Sequence, residues 1–259
     1  MATELVHRER RGTVCTLTLD SPHNRNALSA ALLDELAEHL AEVTGDPTVR
    51  ALVLTAVGPA FCSGADLSAP PSTVTSRVPG ILDTIRAARV PVIARVAGHA
   101  RAGGMGLIAT CDLAVATASS TFGFSEVRVG VAPAMILVPA LRVADRRFLV
   151  RAALTGDPFG AADAAAAGLL TAVVEDEAAL DSWVAQAVTS VLKSAPGAVA
   201  ATKELLRHLE GMDWTDGLTL ANARSAELFA GAEAVEGMDA FLHKRVPSWD
   251  EAVPKDARP

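Results

Sequence analysis

The feature of this sequence that most constrains its fold is a set of apolar segments, each short enough to be a strand. Residues 49–57 (VRALVLTAV) form a nearly continuous apolar run, and residues 90–98 (VPVIARVAG) and 112–117 (DLAVAT) resemble it. Continuous apolar strands are typical of sheets that are buried on both faces, where parallel strands are covered by helices. The sequence therefore predicts an α/β core.

The remaining segments divide the chain into a mixed part and a helical part. Residues 4–10 and 13–19 alternate like the strands of a hairpin around Gly12, and a helical stripe runs from Ser29 to about Gly45. A further helix is predicted over 78–88, and short strands over 120–124 and 170–176. Helical patterns dominate after about residue 144, over 144–156, 161–170, 177–194, 196–211, 216–231 and 232–245.

Composition excludes several classes of function. The chain has 259 residues and a formal net charge of −7, so it lacks the excess of basic residues that binding to nucleic acid requires. Its three cysteines show no C-x-x-C spacing and its six histidines are scattered, so we expect no metal site. No apolar stretch is long enough to span a membrane, and the charged N-terminus does not resemble a secretory signal. We expect a cytoplasmic protein without a membrane or nucleic-acid partner.

Two loops rich in small residues follow two of the apolar strands. Ser63-Gly64-Ala65 comes after the strand at 49–57, and Ala102-Gly103-Gly104 comes after the strand at 90–98. Small residues allow a ligand to approach the backbone, and the start of a helix offers unpaired N–H groups. Two such N–H groups from separate loops can form an oxyanion hole. Taken singly, each loop is better explained as a tight turn or a close packing contact.

A dinucleotide site is a second interpretation of the glycine-rich loop. The residues from Gly104 to Ala109 fit G-x-G-x-x-A, and Glu126 lies 20 residues after Gly106. In that motif, however, the first glycine turns directly off the strand. Here residues 99–103 intervene, and Glu126 follows a separate segment, so the match is weak.

Considered together, the motifs resemble the crotonase (enoyl-CoA hydratase/isomerase) superfamily, and the resemblance covers most of the chain. They are NRNALS at 24–29, AFCSGADL at 60–67, VAGHARAGGMGLIATCDLAVA at 96–116, STFGFSEVRVGVAP at 120–133, LTGDPFGAADAAAAGL at 154–169 and GMDAFLHKR at 237–245. The resemblance implies a spiral of ββα units over residues 1–195 and a C-terminal helical trimerisation region over 196–259. It also implies an acyl-CoA thioester as substrate, no cofactor beyond that coenzyme A, and a homotrimer or a hexamer built from two trimers.

The resemblance also assigns roles to individual positions. Ala65 and Gly103 correspond to the N–H donors of the oxyanion hole. The positions matching those that line the coenzyme A path are Arg25, Ala27, Leu28, Asp66, Leu67 and Gly104. Phe241 and Lys244 match a C-terminal pair that often reaches the coenzyme A of a neighbouring subunit, although a helix with a solvated lysine explains them equally well.

One departure from the family pattern leaves the reaction open. Typical hydratases of the family carry two glutamates, but the first position is Gly106 here, and only Glu126 remains. A hydratase similar to bacterial methylglutaconyl-CoA-type enzymes is our main interpretation, with a Δ3,Δ2-enoyl-CoA isomerase and a non-catalytic acyl-CoA-binding protein as alternatives. A helix-capping role, or a salt bridge to the nearby Arg128, is the competing structural explanation of that glutamate.

Two further features bear on the acyl group. A substrate carboxylate would need a cation, for which Arg101, Arg128 and His99 are candidates. Residues 134–136 (AMI) replace a glycine-rich run that is common in the family, which indicates an altered acyl pocket.

Overall fold

A computed structural model describes residues 4–68, 70 and 72–251. Its larger sheet has six strands in the spatial order β1-β2-β3-β5-β7-β10. Their bounds are β1 Val6–Arg11, β2 Val14–Leu19, β3 Ala51–Ala56, β5 Val92–Val96, β7 Leu113–Thr117 and β10 Ala172–Val174. The β1–β2 pair is antiparallel and all other neighbours are parallel, which confirms the predicted α/β core and its N-terminal hairpin.

A smaller sheet of four strands lies beside the larger one. Its strands are β4 Ala60–Cys62, β6 His99–Arg101, β8 Thr121–Gly123 and β9 Phe159–Gly160, paired in that order. Each of β3, β5 and β7 continues into one strand of the small sheet and then into a helical segment. This repeated strand–strand–helix order is the ββα spiral that the family resemblance implied.

Helices cover both faces of the larger sheet. The helices before residue 195 are α1 Ala30–Gly45, α2 Ser72–Ala87, α3 Gly103–Thr110, α4 Ala134–Val143, α5 Arg146–Thr155, α6 Ala161–Ala166 and α7 Glu177–Leu192. Within β3, Leu52 and Leu54 pack into the main core, whereas Val53 packs beneath Leu180 and Val184 of α7. The continuous apolar character of this strand therefore reflects burial on both sides.

The structure adds elements that the sequence pattern did not predict. The helix expected over 78–88 begins earlier, at Ser72, and α4 was not predicted at all. Pro133 precedes α4 and Pro139 lies within it, and prolines in that arrangement weaken a helical pattern. Strands β4 and β6 have three residues each, too few to show a period.

The C-terminal helices are α8 Pro196–Leu209, α9 Trp214–Phe229, α10 Ala232–Leu242 and α11 Ser248–Glu251. Residue 196, where the predicted helical region begins, is the first residue of α8, and the part of that region at 252–259 lies outside the described residues. Lys203 of α8 joins this region to the core, because its ammonium donates to Asp112 at 2.7 Å and to the carbonyls of Ile85 and Val90. Glu233 of α10 accepts hydrogen bonds from the first N–H groups of α8, at Gly197 and Ala198.

Among the described residues, no helix combines the length and the apolar character needed to cross a bilayer. The same part of the chain contains no group of three or more histidine, cysteine, aspartate or glutamate side chains arranged to hold a metal ion.

Candidate active site

The first candidate donor, the N–H of Ala65, is oriented by a single parallel bridge to Leu28. The N–H of Leu28 donates to the carbonyl of Gly64 at 2.8 Å, and the N–H of Asp66 donates to the carbonyl of Leu28 at 3.4 Å. In a parallel bridge of this kind, the central residue directs its own N–H away from the partner strand. The N–H of Ala65 therefore points away from Leu28.

The second candidate donor, the N–H of Gly103, lies at the first position of α3. An N–H at that position has no acceptor within its own helix. Ala102 before it has φ 47° and ψ −119°, a conformation that L-residues rarely adopt and that costs about 1–3 kcal/mol. Ala102 is held in it by a 3.0 Å hydrogen bond from its N–H to Gly123 and a 2.8 Å bond from Met105 to its carbonyl. This strained residue sets the direction of the Gly103 N–H.

The two donor loops lie in direct contact, which explains their glycines. A Cβ atom on Gly64 would lie 2.6 Å from the Cβ of Ala102 and 3.5 Å from the nitrogen of Gly103. A Cβ on Gly103 would lie 2.5 Å from Cδ1 of Leu28. A side chain at position 64 would force the loops apart, and one at position 103 would have to displace the side chain of Leu28. Two N–H groups side by side can stabilise a carbonyl oxygen as negative charge develops on it.

Two buried side chains that the sequence analysis missed hold these loops in place. The side chain of Asn26 accepts from the N–H of Ser21 at 2.7 Å and donates to the carbonyls of Val57 and Ala60. Cys62 lies against Gly104, on which a Cβ would be 2.8 Å from the Cβ of Cys62. Burial raises the pKa of the Cys62 thiol to about 12, so the thiol is neutral and serves packing rather than nucleophilic attack.

Glu126 provides a carboxyl group in an apolar setting. It lies in a 3₁₀ helix (Ser125–Val129) directly after the fully buried Phe124. Its Oε2 atom is buried and has no hydrogen-bond partner, and burial raises the pKa of this carboxyl above its ordinary value of 4.5. A carboxyl whose pKa is shifted toward neutrality is suited to both accepting and donating a proton.

The alternative salt bridge between Glu126 and Arg128 is absent. The guanidinium of Arg128 pairs instead with Asp157 and also donates to the carbonyl of Thr155 at 3.3 Å. The explanation of Glu126 as the partner of Arg128 is therefore wrong.

The other candidate cations are also held by protein groups. Arg101 donates to the carbonyls of Ala100 and Thr121, at 2.9 and 2.6 Å, and to the hydroxyl of Thr121. His99 lies beside it, and its Nδ1 accepts from the N–H of Thr121 at 3.2 Å. Both side chains thus brace the small sheet.

The positions assigned to the coenzyme A path separate into exposed and buried sets. Arg25 is exposed, Leu67 is 76% exposed, and the carboxylate of Asp66 accepts hydrogen bonds from Ser68. Ala27, Leu28 and Gly104 are buried. The exposed residues are accessible to a ligand beside Ala65, whereas the buried residues support the two donor loops from inside the protein.

Phe241 and Lys244 lie outside the site that one chain forms. Phe241 is 83% exposed on α10, and Lys244 follows that helix with φ 52°. Within the described residues, α10 is joined to α9, to α8 through Glu233, and to Trp249, rather than to the loops at Ala65 and Gly103.

Comparison with known proteins places these features in one family. A family model described as enoyl-CoA hydratase/isomerase matches residues 9–252. A putative enoyl-CoA hydratase of Thermus thermophilus is 34% identical over 247 residues, which cover 92% of this chain and 97% of that protein. A mevalonyl-coenzyme A hydratase of Aspergillus fumigatus is 32% identical, covering 91% of each chain. The crystal structure of an enoyl-CoA hydratase from Mycobacterium smegmatis superposes with a TM-score of 0.91 and 35% identity, covering 95% of this chain and 99% of that one.

The raised pKa of Glu126 predicts a pH-dependent change in stability on Glu126→Gln. Ionising this buried carboxyl destabilises the folded state. The effect is absent below the ordinary pKa of 4.5, grows as the pH rises from 4.5 to the raised pKa of the folded state, and is constant above it. The stability of the variant relative to the wild type is therefore expected to rise between pH 4 and pH 8, by less than about 1 kcal/mol because water screens the partly exposed carboxyl. Denaturant titrations at both pH values measure this difference. Glu38→Gln, at an exposed position of α1, should show no such gap, and an equal gap in both variants would contradict the assignment.

Proposed function

This chain belongs to the enoyl-CoA hydratase/isomerase family, and we propose that it adds water across the double bond of a 2-enoyl-CoA thioester. The observation that carries the proposal is the pair of adjacent loops whose N–H groups, at Ala65 and Gly103, are directed by Leu28 and Ala102. Glu126 supplies the carboxyl group for proton transfer. Coenzyme A enters as part of the substrate, and the reaction uses no other cofactor.

In the proposed mechanism, the thioester carbonyl oxygen accepts hydrogen bonds from both N–H groups. They polarise the conjugated double bond and stabilise the enolate that forms when a nucleophile adds to C3. Donors of this kind act on charge that develops only in the transition state, and loss of one typically costs about 10²–10³ in rate.

Glu126 is the proposed acid–base group. Its ionised carboxylate takes a proton from water while the water oxygen bonds to C3, and the resulting carboxylic acid then returns a proton to C2 of the enolate. The sum is the addition of one water molecule. Its raised pKa favours a group that alternates between the two protonation states.

The exposed residues beside the donor loops are the proposed contacts for coenzyme A. Leu67 is exposed two residues after Ala65, with Asp66 between them in sequence. Exposed Arg25 lies beside the same loop, because its carbonyl accepts from the N–H of Ser63 at 3.0 Å. Phe241 and Lys244 would reach the same ligand from a neighbouring copy. The similarity to a mevalonyl-coenzyme A hydratase keeps branched acyl chains among the candidates for this chain. Carboxylated acyl chains stay candidates on the sequence resemblance alone.

An isomerase is the second candidate, and the absence of a side chain at Gly106 favours it. One carboxyl is sufficient to remove a proton from C2 of a 3-enoyl-CoA and return it to C4, because the same enolate is stabilised by the same donors. Hydration and isomerisation therefore differ in whether a water molecule reaches C3.

We propose a homotrimer, alone or paired into a hexamer, on the basis of two separate apolar surfaces. The outer faces of α4 and α5 expose Leu141 and Leu154, while α9 and α10 expose Phe229 and Phe241. Exposed apolar patches of this kind mark interaction sites, and two different surfaces that contact each other between copies can close into a ring. Sedimentation equilibrium should give three or six times the mass of one chain. Phe229→Asp should lower that mass, and a monomeric wild type would contradict the proposal.

A turnover screen tests the proposed reaction directly. The wild type should hydrate one or more of a set of short, long, branched and carboxylated 2-enoyl-CoA esters, with ¹⁸O from labelled water appearing at C3. Glu126→Gln should lower that rate by about 10²–10⁴, whereas Glu38→Gln should not. Conversion of a 3-enoyl-CoA without ¹⁸O incorporation would support the isomerase instead. Binding of the esters with no turnover would contradict both.

A further inference from the structure

The absence of a side chain at position 106 is matched by a bulky side chain opposite it. Gly106 lies one turn after Gly103, so it lies on the same face of α3 as the candidate donor. A Cβ on Gly106 would lie 2.7 Å from Cγ2 of Ile136, 3.2 Å from its Cβ and 3.6 Å from its Cα. Ile136 therefore occupies the space that any side chain at position 106 would need.

Ile136 has little freedom to move away. It is 3% exposed, in the first turn of α4, where the N–H of Leu137 donates to the carbonyl of Pro133 at 3.0 Å. Because isoleucine branches at Cβ, its Cγ2 is fixed close to the backbone and cannot swing aside as the end of a longer side chain would.

The segment that carries Ile136 also carries Glu126. It leaves the small sheet at Gly123, whose carbonyl accepts from Ala102, and returns to α3 where Ile136 meets Gly106. Glu126 lies between these two anchor points, with its Oε2 buried and unpartnered. One face of α3 thus carries the candidate donor Gly103 and position 106. The segment that packs against this helix carries Glu126 and Ile136, the residue that fills the space at position 106.

We propose that Ile136 is a specificity-determining residue that limits this site to one carboxyl group. Ile136 fills the space beside Gly106 and so prevents a second acidic side chain from taking part in proton transfer. Glu126 alone then takes the proton and returns it. The inference rests on the proposed function for its chemical consequence, but its steric part stands independently.

The contact distances define the variants that test this inference. Ile136→Ala would leave a Cβ at 3.2 Å from a new Cβ at position 106, whereas Ile136→Gly leaves the Cα at 3.6 Å as the nearest atom. Ile136→Val is the matched control, because it shortens the side chain and keeps methyl groups on Cβ. Gly106→Ala and Gly106→Glu are each made in the wild-type, Ile136→Val and Ile136→Gly backgrounds.

Thermal melting tests the steric part without any activity measurement. Gly106→Ala and Gly106→Glu are expected to lower the melting temperature in the wild-type and Ile136→Val backgrounds. In the Ile136→Gly background, the same changes should lower the melting temperature much less, or not at all. An equal loss in all three backgrounds, or no loss in the wild type, would overturn the proposal.

The pH dependence of kcat/KM tests the chemical part, a readout that packing alone would not move. The wild type should show one ionisation on the acid limb, from Glu126. The Gly106→Glu, Ile136→Gly double variant should show two, because two neighbouring carboxyls titrate as a coupled pair and one pKa is raised. A single ionisation in a folded and active double variant would overturn this part. A wild type that turns over no enoyl-CoA would count against the proposed function, while the melting series would still decide the steric claim.

Discussion

The contact of Leu28 with both donor loops is the interaction on which the candidate site depends. Its backbone N–H and carbonyl bond to Gly64 and Asp66, which turns the N–H of Ala65 outward. Its side chain packs against Gly103, leaving no room there for a Cβ. A single buried residue thereby sets the spacing of two N–H groups that come from loops almost 40 residues apart in sequence.

The rest of the fold holds this contact rigid. Strands β3 and β4 deliver the loop at Ala65, and β5 and β6 deliver the loop at Gly103, through parallel pairs in two sheets. Asn26 fixes the segment that carries Leu28 with three hydrogen bonds. The strain stored at Ala102 persists because both of its peptide groups are hydrogen-bonded. These contacts therefore stabilise a fixed backbone geometry rather than the positions of reactive side chains.

Much of the architecture was predictable from local pattern, and the spiral order of its units came from family resemblance. The apolar run at 49–57 predicted a strand buried on two faces, and the structure confirms this in β3. The helical stripes after residue 144 are confirmed as α5 to α10. Strands of three residues and the proline-containing α4 carry no periodic signal, so local reasoning could not find them.

Close backbone contact was predictable where few residue types besides glycine fit, as at Gly64 and Gly103. The site was not predictable where distant residues meet. The packing of Ile136 on Gly106 and the pairing of Arg128 with Asp157 depend on contacts about 30 residues apart, which no local pattern encodes. Glu126 shows the intermediate case, since its apolar neighbours indicated burial but not the absence of a partner for Oε2.

The central claim is that Leu28 spaces two N–H groups that polarise a bound thioester. The infrared stretching frequency of the ¹³C-labelled thioester carbonyl in bound enoyl-CoA tests it most directly. Leu28→Ala and Leu36→Ala each empty a fully buried position, and each should cost about 2–5 kcal/mol of stability. We expect the carbonyl frequency to shift on binding in the wild type and Leu36→Ala, and to shift less in Leu28→Ala, where the backbone bonds to Gly64 and Asp66 remain but the side chain that packs against Gly103 is lost. A wild-type shift in Leu28→Ala would contradict the account.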